Sequence, residues 1–352
     1  MSSGKRSKCR SCRFQRCLKA RMCPEEVGKL RDLKLPDRLV IEAKEESSVV
    51  PYLDLTSLRY PSEAIQSMRI PLIERFGVAE GVKCIARMFV NLESTCDNDT
   101  YASSVPDRFF CNLDISLKQA LQNPLLVSER TPLCWRGSKP LEDTRSALKP
   151  SYCRLVLHYL EWLSAIDDLM AFDELQRIRV TTTHMIPAIL LTMTFNSFKH
   201  DSSRILLCNG FYYSANKCER EEYGLEVDLI VSELETKILS KFRELNVRDE
   251  EYVLLKLIVL FTGRQAEDEE TSEAMRKIRR KYIHLLVHLV NNALQNHFVE
   301  KPFDRLHALL QLISPLISIS DVVELCLIHA VALDIAGMRG ELTFDFHLRE
   351  YL

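Results

Sequence analysis

Over most of its length this chain repeats its apolar residues at helical spacing, and strict alternation is rare. Leu155, Tyr159, Trp162, Ile166 and Leu169 fall at i, i+4, i+7, i+11 and i+14, which predicts one long helix with a buried face. Phe172–Val180 begins another, with Asp173 and Glu174 at its positive end. That pattern continues into the apolar stretch Met185–Phe195, where Pro187 is expected to kink or restart the helix. Earlier, Val82, Ile85, Phe89 and Leu92 mark a helix between Gly81 and Ser94. Later, Glu226–Leu245 reads as helix, and Asp249 is expected to N-cap one running through Val253, Leu254, Leu257, Ile258 and Phe261. Ile278, Tyr282, Leu285 and Leu289 define a helix whose outer face is basic, with Lys277, Arg279, Arg280 and Lys281. Phe303 to Met338 forms a long apolar pattern with Pro315 inside it.

The one β signal is Asn209–Gly210 between Ile205–Leu207 and Phe211–Tyr213, which predicts a hairpin with a type I′ turn. Leu117–Gly137 joins a short helix to a turn at Arg130–Thr131–Pro132, while Asp97–Phe110 and Gln265–Thr271 read as loops. From Cys23 to about Leu58 no periodicity holds; Pro24, Pro36, Pro51 and the acidic Glu42, Glu45 and Glu46 suggest a hinge.

Composition supports a large apolar core, with 352 residues of which 46% are hydrophobic. A net charge of −2 gives no global attraction to nucleic acid, so the cationic run before Glu25 is a local asymmetry. The 12 cysteines show no disulfide-framework spacing and point to free thiols in a reducing compartment. The first residues are polar and basic, without the apolar core of a signal peptide, and no membrane span is expected. His284 and His288 share a helical face but have no third ligand, and no nucleotide-binding or hydrolase motif is present. An enzyme is not expected.

The cationic run has its own pattern. Phe14, Cys17, Leu18 and Met22 form an apolar helical face behind the pair Cys9 and Cys12, and Arg10, Arg13, Arg16, Lys19 and Arg21 occupy most other positions. A thiol pair leading into a one-signed helix suggests a metal-stapled element lying on a polyanion. The motif Cys-x-x-Cys-Arg-Phe-x-x-Cys-Leu-x-x-x-Met resembles the end of the second zinc module in the DNA-binding domain of nuclear hormone receptors. The resemblance implies that Cys9 and Cys12 are the last two zinc thiolates and that Arg10, Arg13, Arg16 and Lys19 meet the DNA backbone. Arg21 stands where the family usually has Gly. Counting back from Cys9, the module's first two ligands and the whole first module are expected to be missing. Cys17 and Cys23 are the nearest other thiols, and Cys17 sits on the apolar face. This chain alone is therefore expected to hold zinc poorly and to bind DNA weakly.

The remainder resembles the ligand-binding domain of the same family, in the form found in its nematode expansion. Leu117–Gly137 is similar to a segment that precedes the ligand-binding core in that group. Glu161–Trp162, Asp173–Glu174 and the hairpin after the central helix match its signature region, but Ser164 stands where a basic residue is usual. At the end of the sequence Leu348, Tyr351 and Leu352 lie at i, i+3 and i+4 with Glu350 beside them, resembling the activation helix; His347 is the mismatch. The resemblance implies that Glu350 caps the amino end of a co-regulator's Leu-rich helix, with Arg177 or Arg179 replacing the missing cation. It places a ligand pocket near Tyr159, Trp162 and Met193, positions that plain packing also explains. The last long helix is either the family's dimer surface or a central core helix.

The expected fold is all-α, a layered helical ligand-binding domain with one small β-hairpin, plus a remnant of a zinc-module DNA-binding domain. The expected divisions are 1–26 for the remnant, 27–58 for the hinge and 59–352 for the ligand-binding domain. The implied function is ligand-regulated control of transcription in the nucleus, by a small apolar ligand and transcriptional co-regulators. The other reading is a receptor fragment without autonomous DNA binding that acts as a dimerisation or inhibitory partner of full-length receptors; a homodimer or a heterodimer with another nuclear receptor is implied by the resemblance.

Overall fold

A computed structural model describes residues 62–97, 111–131, 133–141, 143–214, 225–263, 269–294 and 301–349. The chain divides at Asp54/Leu55, and the described residues all belong to the second unit. The motif from Cys9 to Met22 therefore lies outside them.

Helix α1, Ser62–Asp97, is broken where Gly77 takes φ 77°. A short helix α2, Leu117–Gln122, starts at a capping box between Ser116 and Gln119, and a 3-10 turn, Pro124–Leu126, follows. Strand β1 is Cys134–Pro140. Helix α3, Thr144–Ser164, is N-capped by Asp143 and buries Leu155, Tyr159 and Trp162, whereas Ile166 and Leu169, expected on the same helix, are buried beyond its end. Beyond a 3-10 turn, Asp167–Ala171, Asp173 and Gln176 form the capping box that opens α4, Glu174–Lys199. Strand β2 is Asn209–Tyr212. Helix α5, Leu225–Glu233, passes through a π turn, Leu234–Leu239, into α6, Ser240–Leu245. Then come α7, Asp249–Leu260; α8, Glu269–Leu294; α9, Pro302–Gln311; α10, Ile313–Ala332; and α11, Glu341–His347.

Helices α4 and α7 make the middle layer. α7 is buried from Glu251 to Leu260 and packs against α1, α4 and α8; α4 packs against α3, α7 and α10. This burial explains the first departure from expectation. Pro187 does not interrupt α4, which runs unbroken for 26 residues with Pro187 buried inside it. Packing on several sides outweighs the lost backbone hydrogen bond, as tertiary burial usually supplies most helix stability.

The hairpin forms with a different turn. Leu207 N–H donates to Phe211 O at 2.9 Å and Gly210 N–H to Leu207 O at 3.2 Å, enclosing Cys208, Asn209 and Gly210. Only Gly210 takes a positive φ, 87°, so this is a three-residue turn rather than a type I′ pair. β2 also pairs with β1 in parallel, matching Cys134 with Asn209 and Pro140 with Tyr212.

Asp249 is the first residue of α7 rather than its cap. Arg248 holds the cap position, where its N–H donates to Glu251 Oε2 at 2.9 Å. Glu269–Thr271, expected in a loop, begin α8. The long pattern from Phe303 splits at Leu312, and Pro315 falls in the first turn of α10, where a missing N–H costs little. Pro302–Ala332 is long and apolar enough to cross a membrane by length and composition, with a mean hydropathy of 1.7 in its most apolar window. The expectation of no such stretch missed it. In this fold α10 packs against α4 and α5, and Leu325 and Leu333 are exposed.

Candidate functional site

Helix α11 is positioned by a close approach at its start. A Cβ on Gly340 would stand 2.5 Å from the Leu113 carbonyl oxygen, so only glycine lets the backbone pass there. The next turn is fixed by Leu342 N–H, which donates to the same Leu113 oxygen at 2.9 Å. Leu342 and Phe346, at i and i+4, face the core, while Phe344 is partly exposed. Thr343 Oγ1 donates to Met338 O at 2.7 Å.

Thr343, Asp345 and His347 of α11 also face inward, while Glu341 is exposed. Asp345 is buried, and its Oδ2 accepts the Leu117 backbone N–H at 2.8 Å, at the first turn of α2. His347 is buried, with Nε2 2.8 Å from the Tyr152 hydroxyl on α3 and Nδ1 2.7 Å from Glu324 Oε1 on α10. A neutral ring satisfies both partners: Nδ1–H donates to the carboxylate and Nε2 accepts from the hydroxyl. Burial, then the nearby Cys153 and Glu324, push the Tyr152 pKa well above its ordinary value, so the hydroxyl keeps its proton. α11 is thus held by polar groups from α2, α3 and α10.

Around it, Lys118 on α2 pairs with Glu174 at the start of α4, with Nζ and Oε1 2.6 Å apart. At the carboxyl end of α3, Ser164 Oγ donates to Glu161 O at 2.7 Å. The cation at this end comes from elsewhere: Arg130 donates to Glu161 Oε1 from Nε at 3.0 Å and also from Nη2. Arg177 is half-buried with Nη1 3.4 Å from Met170 Sδ, and Arg179 is exposed.

Of the co-regulator positions expected from the sequence, Leu348 follows α11 and packs half-buried against the core. Glu350, Tyr351 and Leu352 lie outside the described residues, as do Cys9, Arg10, Cys12, Arg13, Arg16 and Lys19.

Two of the expected ligand positions, Tyr159 and Trp162, sit beside a buried ion pair. Tyr159 OH donates to Thr181 O at 2.9 Å, and its ring stacks on Trp162 with centroids 6.2 Å apart. Lys256 Nζ stands 4.3 Å from the centre of the Trp162 ring and donates to Glu93 Oε1 at 2.6 Å. Tyr252 OH is 3.2 Å from Glu93 Oε2 and 3.0 Å from Thr192 Oγ1. Burial raises the pKa of Tyr252 well above the ordinary value, with Glu93 adding to it. Met193, also buried, lies one residue along α4 from Thr192. Beside this cluster a cleft of about 30 Å³ is bordered by Glu93, Asp97, Lys199, Asp249 and Tyr252. That volume suits water; pockets that hold small apolar ligands run to roughly 300–1,000 Å³.

Sequence reasoning passed over Asp345, Tyr152, Glu324 and Lys256. Only Lys256 carries a local signal: a single charge inside the apolar run Val253–Phe261 must be paired or expelled.

A middle layer of buried helices, a hairpin after the central one and a terminal helix seated across neighbouring elements define a helical ligand-binding domain. Residues 138–326, more than half of the 352, match the family described as the ligand-binding domain of nuclear hormone receptor. The chain belongs to the nuclear hormone receptor family. It is 22% identical to nuclear hormone receptor family member nhr-100 of Caenorhabditis elegans over 351 residues, 97% of this chain and 77% of that protein. With family member nhr-3 of the same organism it shares 24% identity over 288 residues, 72% of this chain and 59% of that protein.

Proposed function

We propose that this chain is a ligand-regulated transcription factor of the nucleus in which a small apolar molecule biases the seat of α11. α11, with Leu348, Glu350, Tyr351 and Leu352 after it, recruits or releases a transcriptional co-regulator. The observation that carries this reading is the set of buried bonds from α11 to α2, α3 and α10 through Asp345 and His347. An element held by several neighbours responds when a ligand binds one arrangement of them better than another. Tyr159 and Trp162 share α3 with Tyr152, so a ligand that shifts α3 is felt at His347; Met193 is buried on α4, which packs against α3. The test is a thermal-shift screen of apolar small molecules, followed by recruitment of a labelled Leu-rich helical peptide. Compounds that stabilise the protein should change peptide affinity, and stabilisation with unchanged recruitment would count against the reading.

The second reading is a dimerisation or inhibitory partner of full-length receptors. It is supported by Pro302–Ala332, whose most apolar window is only 33% buried and which leaves Phe303 and Leu325 exposed, as is Leu333 just beyond it. Light scattering of the purified chain, alone and mixed with a family member, tests it. Zinc at Cys9 and Cys12 and DNA contact by Arg10, Arg13, Arg16 and Lys19 belong to the first reading. A structural zinc site needs four protein ligands, and we expect weak duplex binding that fades with added salt. A sequence-specific shift at physiological salt overturns that expectation.

A further inference from the structure

The excursion carrying α2 is pinned at its base. Cys111 and Ser128 form an antiparallel bridge, and Asn112 N–H donates to Val127 O at 2.9 Å. Between these points the chain buries Leu113 and Ile115, forms α2 against α3 and α11, and returns to the buried Val127. Its apolar residues Leu117, Ala120 and Leu121 recur at i, i+3 and i+4; the first two are buried and Leu121 packs half-buried against the core. Lys118 and Gln119 face solvent. The amino end of α2 meets the buried carboxylate of Asp345 from α11. Lys118 ties the same turn to Glu174 of α4. A six-residue helix has little stability of its own, so α2 depends on this seat.

Those are the interactions that a partner's short Leu-rich helix would need at α11. Its apolar i, i+3, i+4 face would lie inward, and its free N–H groups would meet a carboxylate from the terminal helix. We propose that α2 is an internal occupant of the co-regulator seat, which closes the notch where α11, α3 and α4 meet until it lifts away. The proposal rests on the co-regulator reading of α11 and adds a gate to it. A co-regulator helix competes with α2 for the notch. Any event that moves Asp345 uncaps α2 and opens the gate.

The test uses the full 352-residue chain and two fluorescent peptides in anisotropy titrations. One is a synthetic amphipathic helix with leucines at i, i+3 and i+4; the other has the chain's own sequence from Asp114 to Val127. The variants are Ala120→Glu, which places a charge in the seat, and Lys118→Gly/Gln119→Gly, which melts α2 through two exposed positions without touching the core. Circular dichroism and thermal melts confirm the fold. Should Ala120→Glu not fold, the double glycine variant decides. A tethered segment competes at roughly millimolar effective concentration, so both peptides should bind the variants about tenfold or more tighter than the wild type. Equal affinity of the Leu-rich peptide for wild type and variants overturns the gate and leaves the co-regulator reading standing. Binding of only the chain's own peptide to the variants supports the α2 seat and removes the co-regulator reading. No binding of either peptide to a folded variant overturns both.

Discussion

The imidazole of His347 and the hydroxyl of Tyr152, 195 positions apart in the chain, meet at 2.8 Å inside the protein. Without this contact the Tyr152 hydroxyl and His347 Nε2 would each lose the partner they have inside the protein, while His347 Nδ1 would keep Glu324. Tyr152→Phe removes the donor and costs about 1–3 kcal/mol, the desolvation penalty of an unsatisfied buried group. The effect should be local: amide hydrogen exchange in α11 speeds up while α7 stays protected. Unchanged exchange in α11 would show that other contacts hold the helix.

Gly340 gives a second handle on the same helix. In Gly340→Ala the new methyl would lie 2.5 Å from Leu113 O and 2.6 Å from Leu113 Cβ, so one backbone must move. Overpacking of this kind costs about 1–3 kcal/mol. The expected result is a lower thermal midpoint with protease cleavage near residue 113 or in α11. A midpoint equal to the wild type would mean that the contact relaxes freely.

The pair Lys256–Glu93 lies deep in the fold, both members under a tenth exposed. Lys256→Met takes from Glu93 its buried lysine and leaves it the Tyr252 hydroxyl, and breaking a buried ion pair is destabilising by about 3–5 kcal/mol. Lys256→Met/Glu93→Gln should recover most of that loss, because no isolated charge remains. Urea unfolding of the single and double variants checks it. A double variant no better than the single would show that the cation over Trp162 matters in itself.

Acid should weaken the protein through Glu251. Burial raises the pKa of this carboxyl, but hydrogen bonds from Arg305 and Arg248 outweigh it and bring the pKa below its ordinary 4.5. Arg305 donates from Nε and Nη2, each at 2.7 Å, and Arg248 Nη2 from 2.9 Å. A depressed folded pKa stabilises fully above the unfolded value, and that stability is lost as pH falls through the folded one. For Asp97, burial also raises the pKa, yet His158, Lys256 and Arg154 carry it below 3.8 and add to the loss. Glu251→Gln should therefore be less stable than wild type near neutral pH, with the gap closing as pH drops below about 4.5. Thermal midpoints across that range decide it, and a constant gap would refute the assignment.

What the sequence made legible was whatever repeats locally. The faces of α3 and α8 follow from their spacing, since residues at i, i+3 and i+4 share a side of a helix. The hairpin was visible in Asn209–Gly210, though its turn type depends on how Leu207 and Phe211 meet. Pro187 misled because a local penalty competes with burial that only the folded neighbours supply. His347, Tyr152 and Glu324 had no shared signal, because the bonds joining them span distant parts of the chain. His347 departs from the activation-helix pattern, and in the structure it is one of the residues, with Asp345, that anchor α11.

The π turn between α5 and α6 sets a rotational phase. One surplus residue per turn makes Leu234–Leu239 act as a vernier between two otherwise ordinary helices. Phe242 beyond it meets Phe195 and Phe198, with ring centroids 6.0 and 6.2 Å away. Forcing these same residues into regular α winding would turn everything after them by roughly 100°. Phe242 would then swing off the aromatic group on α4. The irregular stretch is what keeps the two helices in register with one core.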